Sequence, residues 1–153
     1  MIELYPNFLN QDLSQINILL EKYDIRFENN VDYTIGKFDN DRLIATASTY
    51  KNIIKCVAID EIYQASEIFN ELISNVINKI YENGYEDIFI YTKPIYERSF
   101  GSLGFKKIES VDEDLVFMEK SSFGINYFLD NLKNERIDGD IVSSIVVNAN
   151  PFT

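Results

Sequence analysis

The sequence predicts a mixed α/β fold, an α+β mixed sheet in one domain, and three observations support this. Apolar residues recur at helical spacing over residues 64–83, which indicates a long amphipathic helix. Three stretches typical of strands precede that helix, at 32–38, 43–50 and 52–59, because they alternate in polarity or are rich in Ile and Val. Further strands follow it, so strands and helices do not alternate regularly as in a parallel α/β array.

The other elements follow from local signals. Gly84 stands where the long helix would end with a positive φ angle, and Pro94 can start a short helix that Gly104 ends. We predict these elements, in chain order, as a helix at 12–23, a central apolar strand at 87–92, a short helix at 94–103, an antiparallel pair of strands at 105–110 and 115–119, and a last helix at 123–132.

The charge balance excludes several classes of function. The chain has 153 residues, a net charge of −11 and no histidine. We therefore expect no nucleic-acid partner and no binding to an anionic membrane. Because histidine is the commonest general base and the commonest zinc ligand, we also predict no metal site.

Cysteine content and terminal patterns indicate the compartment. The single cysteine, Cys56, excludes an internal disulfide and fits a reducing environment. It lies in an apolar strand, where we expect a core residue and not a nucleophile. The start of the chain lacks a signal-peptide pattern, and no apolar stretch is long enough to span a membrane. We therefore expect a cytoplasmic protein.

Two polar clusters have competing interpretations. Asp112, Glu113 and Asp114 lie between two predicted strands, where three acidic residues in a row favour a solvated turn over a metal site. Tyr91, Lys93 and Tyr96 lie at the end of the predicted central strand, next to Pro94. They line either a functional cleft or an ordinary solvated strand end, since ligands in α/β proteins bind at the carboxyl ends of strands.

The passage from the strand Val57-Ala58-Ile59 to the long helix is a typical place for a phosphorylated ligand, because the first amides of a helix have no intrahelical partner. This element order, with Gly104-Phe105 after the short helix, resembles the GNAT N-acetyltransferase fold. In that family a [Gln/Arg]-x-x-Gly-x-[Gly/Ala] loop holds the coenzyme A pyrophosphate, and Gln64-Ala65-Ser66-Glu67-Ile68-Phe69 aligns with it. The resemblance implies a binding site for a CoA-type arm at Val57, Ile59, Gln64, Ala65, Ser66, Glu67 and Tyr96.

Three positions depart from the GNAT pattern. Glu67 places a carboxylate where the family has its first glycine, and Phe69 adds bulk at the second small position. Phe100 aligns with the tyrosine that can protonate the leaving thiolate, and it has no proton to give. We therefore expect the fold without ordinary acetyltransferase activity.

The last residues carry a second resemblance. An apolar stretch from Ser143 to Val147 runs into Asn148-Ala149-Asn150-Pro151-Phe152-Thr153, which resembles the first strand of the adenylyl-transferring nucleotidyltransferases. In that superfamily the strand leads to a [His/Thr]-x-Gly-His motif that holds ATP phosphates. The resemblance implies an incomplete nucleotide site at Asn148, Asn150, Pro151, Phe152 and Thr153, although a frayed apolar tail is an alternative.

These features divide the chain into a GNAT-like domain at 1–133, a polar linker at 134–140, and the start of a truncated Rossmann-like nucleotidyltransferase domain at 141–153. A GNAT-like domain followed by such a strand resembles the citrate lyase ligase family. Tyr63-Gln64, the segment Ile90-Tyr91-Thr92-Lys93-Pro94 and Asn-Ala-Asn-Pro-Phe-Thr occur in the order and at the spacings of that family.

The resemblance implies that the full-length protein uses ATP and acetate to acetylate the thiol prosthetic group of the citrate lyase acyl carrier subunit. We expect residues 1–133 to bind the dephospho-CoA-like arm or the carrier protein, and this chain alone to be inactive. Two alternatives remain at this stage: a free-standing N-acetyltransferase that uses acetyl-CoA, and a non-catalytic docking module.

Overall fold

The computed structural model describes residues 1–63, 67–112 and 114–134. Its strands are β1 (Ile2–Leu4), β2 (Tyr33–Asp39), β3 (Arg42–Tyr50), β4 (Ile53–Ile59), β5 (Ile88–Thr92), β6 (Lys106–Val111) and β7 (Leu115–Lys120). Its helices are α1 (Asn10–Glu21), α2 (Ile68–Glu82), α3 (Glu97–Ser102) and α4 (Ile125–Asn134), with 3₁₀ turns at Glu61–Tyr63 and Pro94–Tyr96.

The described strands form one mixed sheet in the order β1-β2-β3-β4-β5-β7-β6. Each neighbouring pair is antiparallel except β4 and β5, which run parallel. β5 therefore lies inside the sheet, between β4 and β7, as its short apolar sequence predicts. Because β4 and β5 are parallel, the chain must cross over between them, and α2 makes that crossover.

The parallel pair is short. β4 and β5 pair only at Ile53 with Phe89 and at Ile54 with Ile90, although β4 continues to Ile59. Cys56 has a φ of 51°, and the register between β3 and β4 shifts near it, so β4 carries a β-bulge that bends the strand. Beyond Ile54, no described strand pairs with this edge of β4.

Helices cover both faces of the sheet. The apolar stripe of α2 is buried on one face, where Leu72, Ile73, Val76 and Ile80 are inaccessible to solvent. On the other face α1 buries Ile16, Leu19 and Leu20 against β1, β3 and β4. Each fully buried side chain of this kind contributes roughly 1.5–3 kcal/mol to folding through the hydrophobic effect.

The sequence predictions of the elements are confirmed within a few residues, with two corrections. α2 begins at Ile68 and not at Gln64, and residues 64–66 lie outside the described part. β1, which pairs with β2 at the edge of the sheet, is absent from the sequence predictions. Three residues are too few to show an alternating pattern.

Several predictions fall partly outside the described residues. α4 extends to Asn134, while the rest of the predicted linker and the predicted second domain at 141–153 are not described. Of the acidic cluster, Asp112 and Asp114 are exposed at the turn between β6 and β7, and Glu113 is not described. Within the described ranges, no three His, Cys, Asp or Glu side chains lie close enough together to hold a metal ion. None of the described helices has the length and apolar character needed to cross a membrane.

Candidate functional site between β4 and β5

A cavity of about 660 Å³ lies where β4 and β5 diverge. Its walls come from the end of β4, the end of β5, the start of α2, α3 and the loop after α1. Pocket volumes between about 300 and 1,000 Å³ are typical of sites for small molecules and cofactors.

Five of the residues predicted for the site lie together in this cavity. Val57 and Ile59 come from β4, Tyr91 from β5, and Lys93 and Tyr96 from the segment that follows β5. The geometry places them in one cleft, and their role in binding stays a prediction.

The other residues predicted for the site are not seen in this cavity. Gln64, Ala65 and Ser66 lie outside the described residues. Glu67 is exposed, directly before the first residue of α2, and it is not among the residues that line the cavity. The five nucleotide-site residues predicted between Asn148 and Thr153 are not described either.

An aromatic cluster closes one side of the cavity. The Phe100 ring packs edge to face against Phe69, with 5.1 Å between ring centroids, and against Phe105 at 5.6 Å. Phe100 is only 2% exposed. The residue at the proton-donor position of the GNAT pattern is therefore a core side chain, and Phe69 is one of its packing partners.

The polar groups of the cavity lie mainly around its rim. The Lys93 amine donates a hydrogen bond to the Tyr23 carbonyl oxygen over 3.3 Å, which links the end of β5 to the loop after α1. The Lys55 amine pairs with the Glu28 carboxylate and donates to Asn30 Oδ1 over 3.1 Å. The Tyr91 ring stacks on Phe117, with centroids 4.5 Å apart. The cleft thus has an apolar interior and a rim that carries both signs of charge.

Cys56 is buried, as its position in an apolar strand predicts, and it also lines the cavity. Burial raises the pKa of its thiol, so the thiol stays protonated at neutral pH. A protonated, buried thiol is a poor nucleophile, which leaves Cys56 as part of the cavity wall.

Asp60 is a buried carboxylate beside the cavity that is not among the residues predicted from the sequence. It follows β4 directly and is 5% exposed, and its carboxylate accepts hydrogen bonds from Lys22 over 3.1 Å and from Arg42. The hydrogen bond from Lys22, followed by the contacts with Arg42, lowers the pKa of Asp60 despite its burial. Asp60 therefore anchors the exit of β4 to α1 and to the start of β3. The available signal was a carboxylate placed immediately after an apolar strand.

Sequence comparison finds relatives over nearly the whole chain. No protein-family model matches the sequence. The [citrate [pro-3S]-lyase] ligase of Haemophilus influenzae is 34% identical over 142 residues, which are 92% of this chain and 42% of that protein. The ligase of Escherichia coli strain K12 is 35% identical over 144 residues, 94% of this chain and 41% of the relative. The chain thus spans about two fifths of the length of the curated relatives it matches.

Solved structures show the same architecture at low sequence identity. Escherichia coli ElaA has a TM-score of 0.65 at 14% identity, over 78% of this chain and 97% of that protein. A GNAT-family acetyltransferase from Staphylococcus aureus has a TM-score of 0.59 at 16% identity, over 78% and 96%. N-acetylglutamate synthase from Neisseria gonorrhoeae, complexed with coenzyme A and N-acetyl-glutamate, has a TM-score of 0.56 at 16% identity, over 71% of this chain and 32% of that one.

These comparisons confirm the predicted fold and the predicted relationship. The chain is related in sequence to the N-terminal part of the citrate lyase ligases, and its described residues have the GNAT acyltransferase fold.

Proposed function

We propose that this chain is the N-terminal part of a citrate lyase ligase and that its cleft binds the dephospho-CoA-like arm of the acyl carrier subunit. The observation that carries the proposal is the cavity between the diverging ends of β4 and β5. In the full-length enzyme this would make residues 1–133 the thiol-binding domain of an acid-thiol ligase.

The open edge of β4 suits such an arm. A strand edge offers backbone N–H and C=O groups to an extended ligand, which can add to the sheet like another strand. A pantetheine-type chain has the matching chemistry, because two amides interrupt its apolar segments. The edge after Ile54 lies beside the apolar interior of the cavity, so both kinds of group would find partners.

The diphosphate of the arm would lie near residues 64–67 and the N-terminus of α2, where helix amides favour anions. Glu67 opposes this placement, since its carboxylate repels a phosphate. The resemblance to a GNAT pyrophosphate loop supports the placement. The proposal therefore relies on the cleft more than on the loop.

The complete reaction needs chemistry that we assign to the C-terminal part of the enzyme. A carboxylate oxygen of acetate attacks the α-phosphate of ATP and pyrophosphate leaves. The thiol sulfur of the carrier arm then attacks the acetyl carbon and loses its proton to solvent, the bond from that carbon to the phosphate oxygen breaks, and AMP leaves with the bonding electron pair. We assign the first step to the nucleotidyltransferase domain that Asn148, Asn150, Pro151, Phe152 and Thr153 would open, so this chain alone should not adenylate acetate.

A free-standing acetyltransferase is disfavoured by one observation. Phe100 occupies the proton-donor position, is buried and packs on two other rings, so it cannot protonate a departing CoA thiolate. The docking-module alternative agrees with the same observation, but it gives no reason for a cavity of this volume.

Calorimetric titration tests the proposal with three probes: coenzyme A, dephospho-CoA and pantetheine. We expect dephospho-CoA to bind this chain. Ser99→Phe, which fills the cavity from α3, should weaken that binding at least about tenfold, or about 1.4 kcal/mol.

Ser110→Phe provides a matched control, because Ser110 lies on β6 and does not line the cavity. It should bind dephospho-CoA like the unmodified chain. The thiol-binding role would be wrong if none of the three probes bound, or if Ser99→Phe bound dephospho-CoA with unchanged affinity.

A further inference from the structure

The cavity between β4 and β5 passes through the sheet from one face to the other. On the α2 side it is lined by Ile54, Ile90 and Phe100, which belong to the core under α2. On the α1 side it is lined by Cys56 and Ala58, which belong to the core under α1. A long ligand in this cavity therefore has one end on each face of the sheet.

The end of the cavity on the α1 side carries a cation that is held in place. The Lys55 amine pairs with the Glu28 carboxylate and donates a hydrogen bond to Asn30 Oδ1 over 3.1 Å. It also lies 5.7 Å from the centroid of the Tyr50 ring. Lys55 and Glu28 both line the cavity, but the Lys55 side chain is 14% exposed and the Glu28 side chain 52%. Because water screens the carboxylate more than the ammonium, the pair leaves a positive potential at this end.

The distance along β4 matches the length of the proposed arm. The diphosphate would lie at the start of α2, beside Ile59, where β4 ends. A pantetheine chain has about as many chain atoms as four residues of extended backbone, so it spans about 13 Å. Lys55 precedes Ile59 by that number of residues. An arm that follows the β4 edge from Ile59 therefore brings its thiol beside Lys55.

We propose that the Lys55 ammonium stabilises the thiolate form of the bound arm, a role that rests on the arm-binding function proposed above. In this step the S–H bond breaks, the proton goes to water, and the electron pair stays on the sulfur. A neighbouring lysine favours this ionisation, because its positive charge attracts the thiolate. The thiolate is the nucleophilic form of a thiol, so the ionisation prepares the arm for attack on an acetyl group.

The other ionisable groups of the cavity do not supply this charge. Apart from Lys55 and Glu28, the ionisable side chains that line it in the described part of the chain are Tyr23, Cys56, Tyr91, Lys93 and Tyr96. Burial raises the pKa of the Cys56 thiol and of the Tyr23 hydroxyl, so both stay uncharged at neutral pH. Lys93 is a cation, but it lies beyond the paired part of β4 and β5, towards the proposed diphosphate end, and its amine donates to the Tyr23 carbonyl oxygen.

Magnetic resonance of dephospho-CoA labelled at the carbon next to the sulfur measures the ionisation of the bound thiol against pH. We expect its titration midpoint in the complex to lie at least about one pH unit below that of free dephospho-CoA, which is about a tenfold higher ratio of thiolate to thiol. Lys55→Met keeps the apolar stem and removes the charge, so the midpoint should return to the free value. Glu28→Gln removes the opposing carboxylate and should lower the midpoint further. A merely structural ion pair would not shift the midpoint in opposite directions.

Lys51→Met is the matched control, because the Lys51 amine also lies over the Tyr50 ring, at 5.4 Å, but Lys51 does not line the cavity. It removes the same charge from the chain and should leave the midpoint unchanged. A bound thiol that titrates at the free value in the unmodified chain would overturn the proposal, as would a midpoint that stays low in Lys55→Met. If Lys55→Met does not bind dephospho-CoA, Glu28→Gln decides, and a midpoint that it fails to lower would overturn the proposal. Failure of the unmodified chain to bind dephospho-CoA would instead contradict the arm-binding function itself.

Discussion

At the scale of single residues, Asp60 has the clearest measurable role. Its pKa is lowered in the folded state, mainly by the hydrogen bond from Lys22, so its ionised form stabilises the fold above the ordinary pKa of about 3.9. That stability is lost as the pH falls below about 4 towards the folded value. We expect Asp60→Asn to lower the free energy of unfolding at pH 7 by about 1–3 kcal/mol and to flatten its dependence on pH in acid.

Urea unfolding at pH 7 and at about pH 3 measures both effects. The control is Glu71→Gln, because Glu71 also has a lowered pKa from its pair with Lys37 but is 41% exposed. Solvent screens that pair, so this variant should change stability at neutral pH much less. An Asp60→Asn protein as stable as the unmodified chain at pH 7 would show that the buried carboxylate does not anchor β4.

The sequence indicates which residues share a cleft where neighbours along the chain are also neighbours in space, and their binding role stays a prediction. Tyr91, Lys93 and Tyr96 lie within six positions at the end of one strand, and a strand end beside a proline predicts a cleft, so the sequence alone groups them. Asp60 was not found, because its partners Lys22 and Arg42 are 38 and 18 residues away along the chain. No local pattern marks a contact of that kind.

At the scale of elements, a second prediction concerns the free edge of β4, where this strand diverges from β5. The proposed arm would pair with the β4 edge, so bound dephospho-CoA should slow amide exchange within residues 55–58. At saturation we expect the exchange rate of these amides to fall by about tenfold or more. The reason is that a ligand which binds only the folded strand makes local unfolding of that strand rarer. Exchange in β2 should stay unchanged and serves as the internal reference, since β1 and β3 already pair with both of its edges.

Nuclear magnetic resonance resolves these amides one by one. Slowing confined to the α2 start, with none at 55–58, would contradict strand addition and would place the ligand at the loop alone. Equal slowing in β2 would indicate general stabilisation of the fold and would not support contact with the β4 edge.

The elements themselves were predictable in proportion to their length. α2 shows several repeats of its apolar stripe, so its existence followed from the sequence, but its start did not. The helical spacing of apolar residues predicted a helix from Gln64, while the described helix begins at Ile68 after a 3₁₀ turn at Glu61–Tyr63. β1 forms because it pairs with β2, and its three residues show no polarity pattern that predicts a strand.

At the scale of the whole molecule, charge dominates the encounter with a partner. The net charge of −11 repels an acidic carrier protein, and salt screens that repulsion. We expect the affinity for such a carrier to increase between about 0.02 M and about 0.3 M salt, the reverse of an oppositely charged pair. Calorimetry at the two salt concentrations measures this, with uncharged pantetheine as the control ligand whose affinity should not change. An affinity that falls with salt would reveal a local basic contact surface.

The arrangement of the sheet also has a consequence for how the chain folds. β1 to β4 are joined by hairpins and one helix, and β5 to β7 are close neighbours along the chain, so each set can form through local contacts. The two sets join where Ile53 and Ile54 of β4 pair with β5, and this pairing requires closure of the loop that contains α2. Loop closure is the slower step, because chain entropy is lost before the stabilising contacts form. The cleft exists only after that union. A partly folded chain can therefore hold most of its secondary structure and still lack the site, so binding of the arm would report completed folding and not merely the presence of strands and helices.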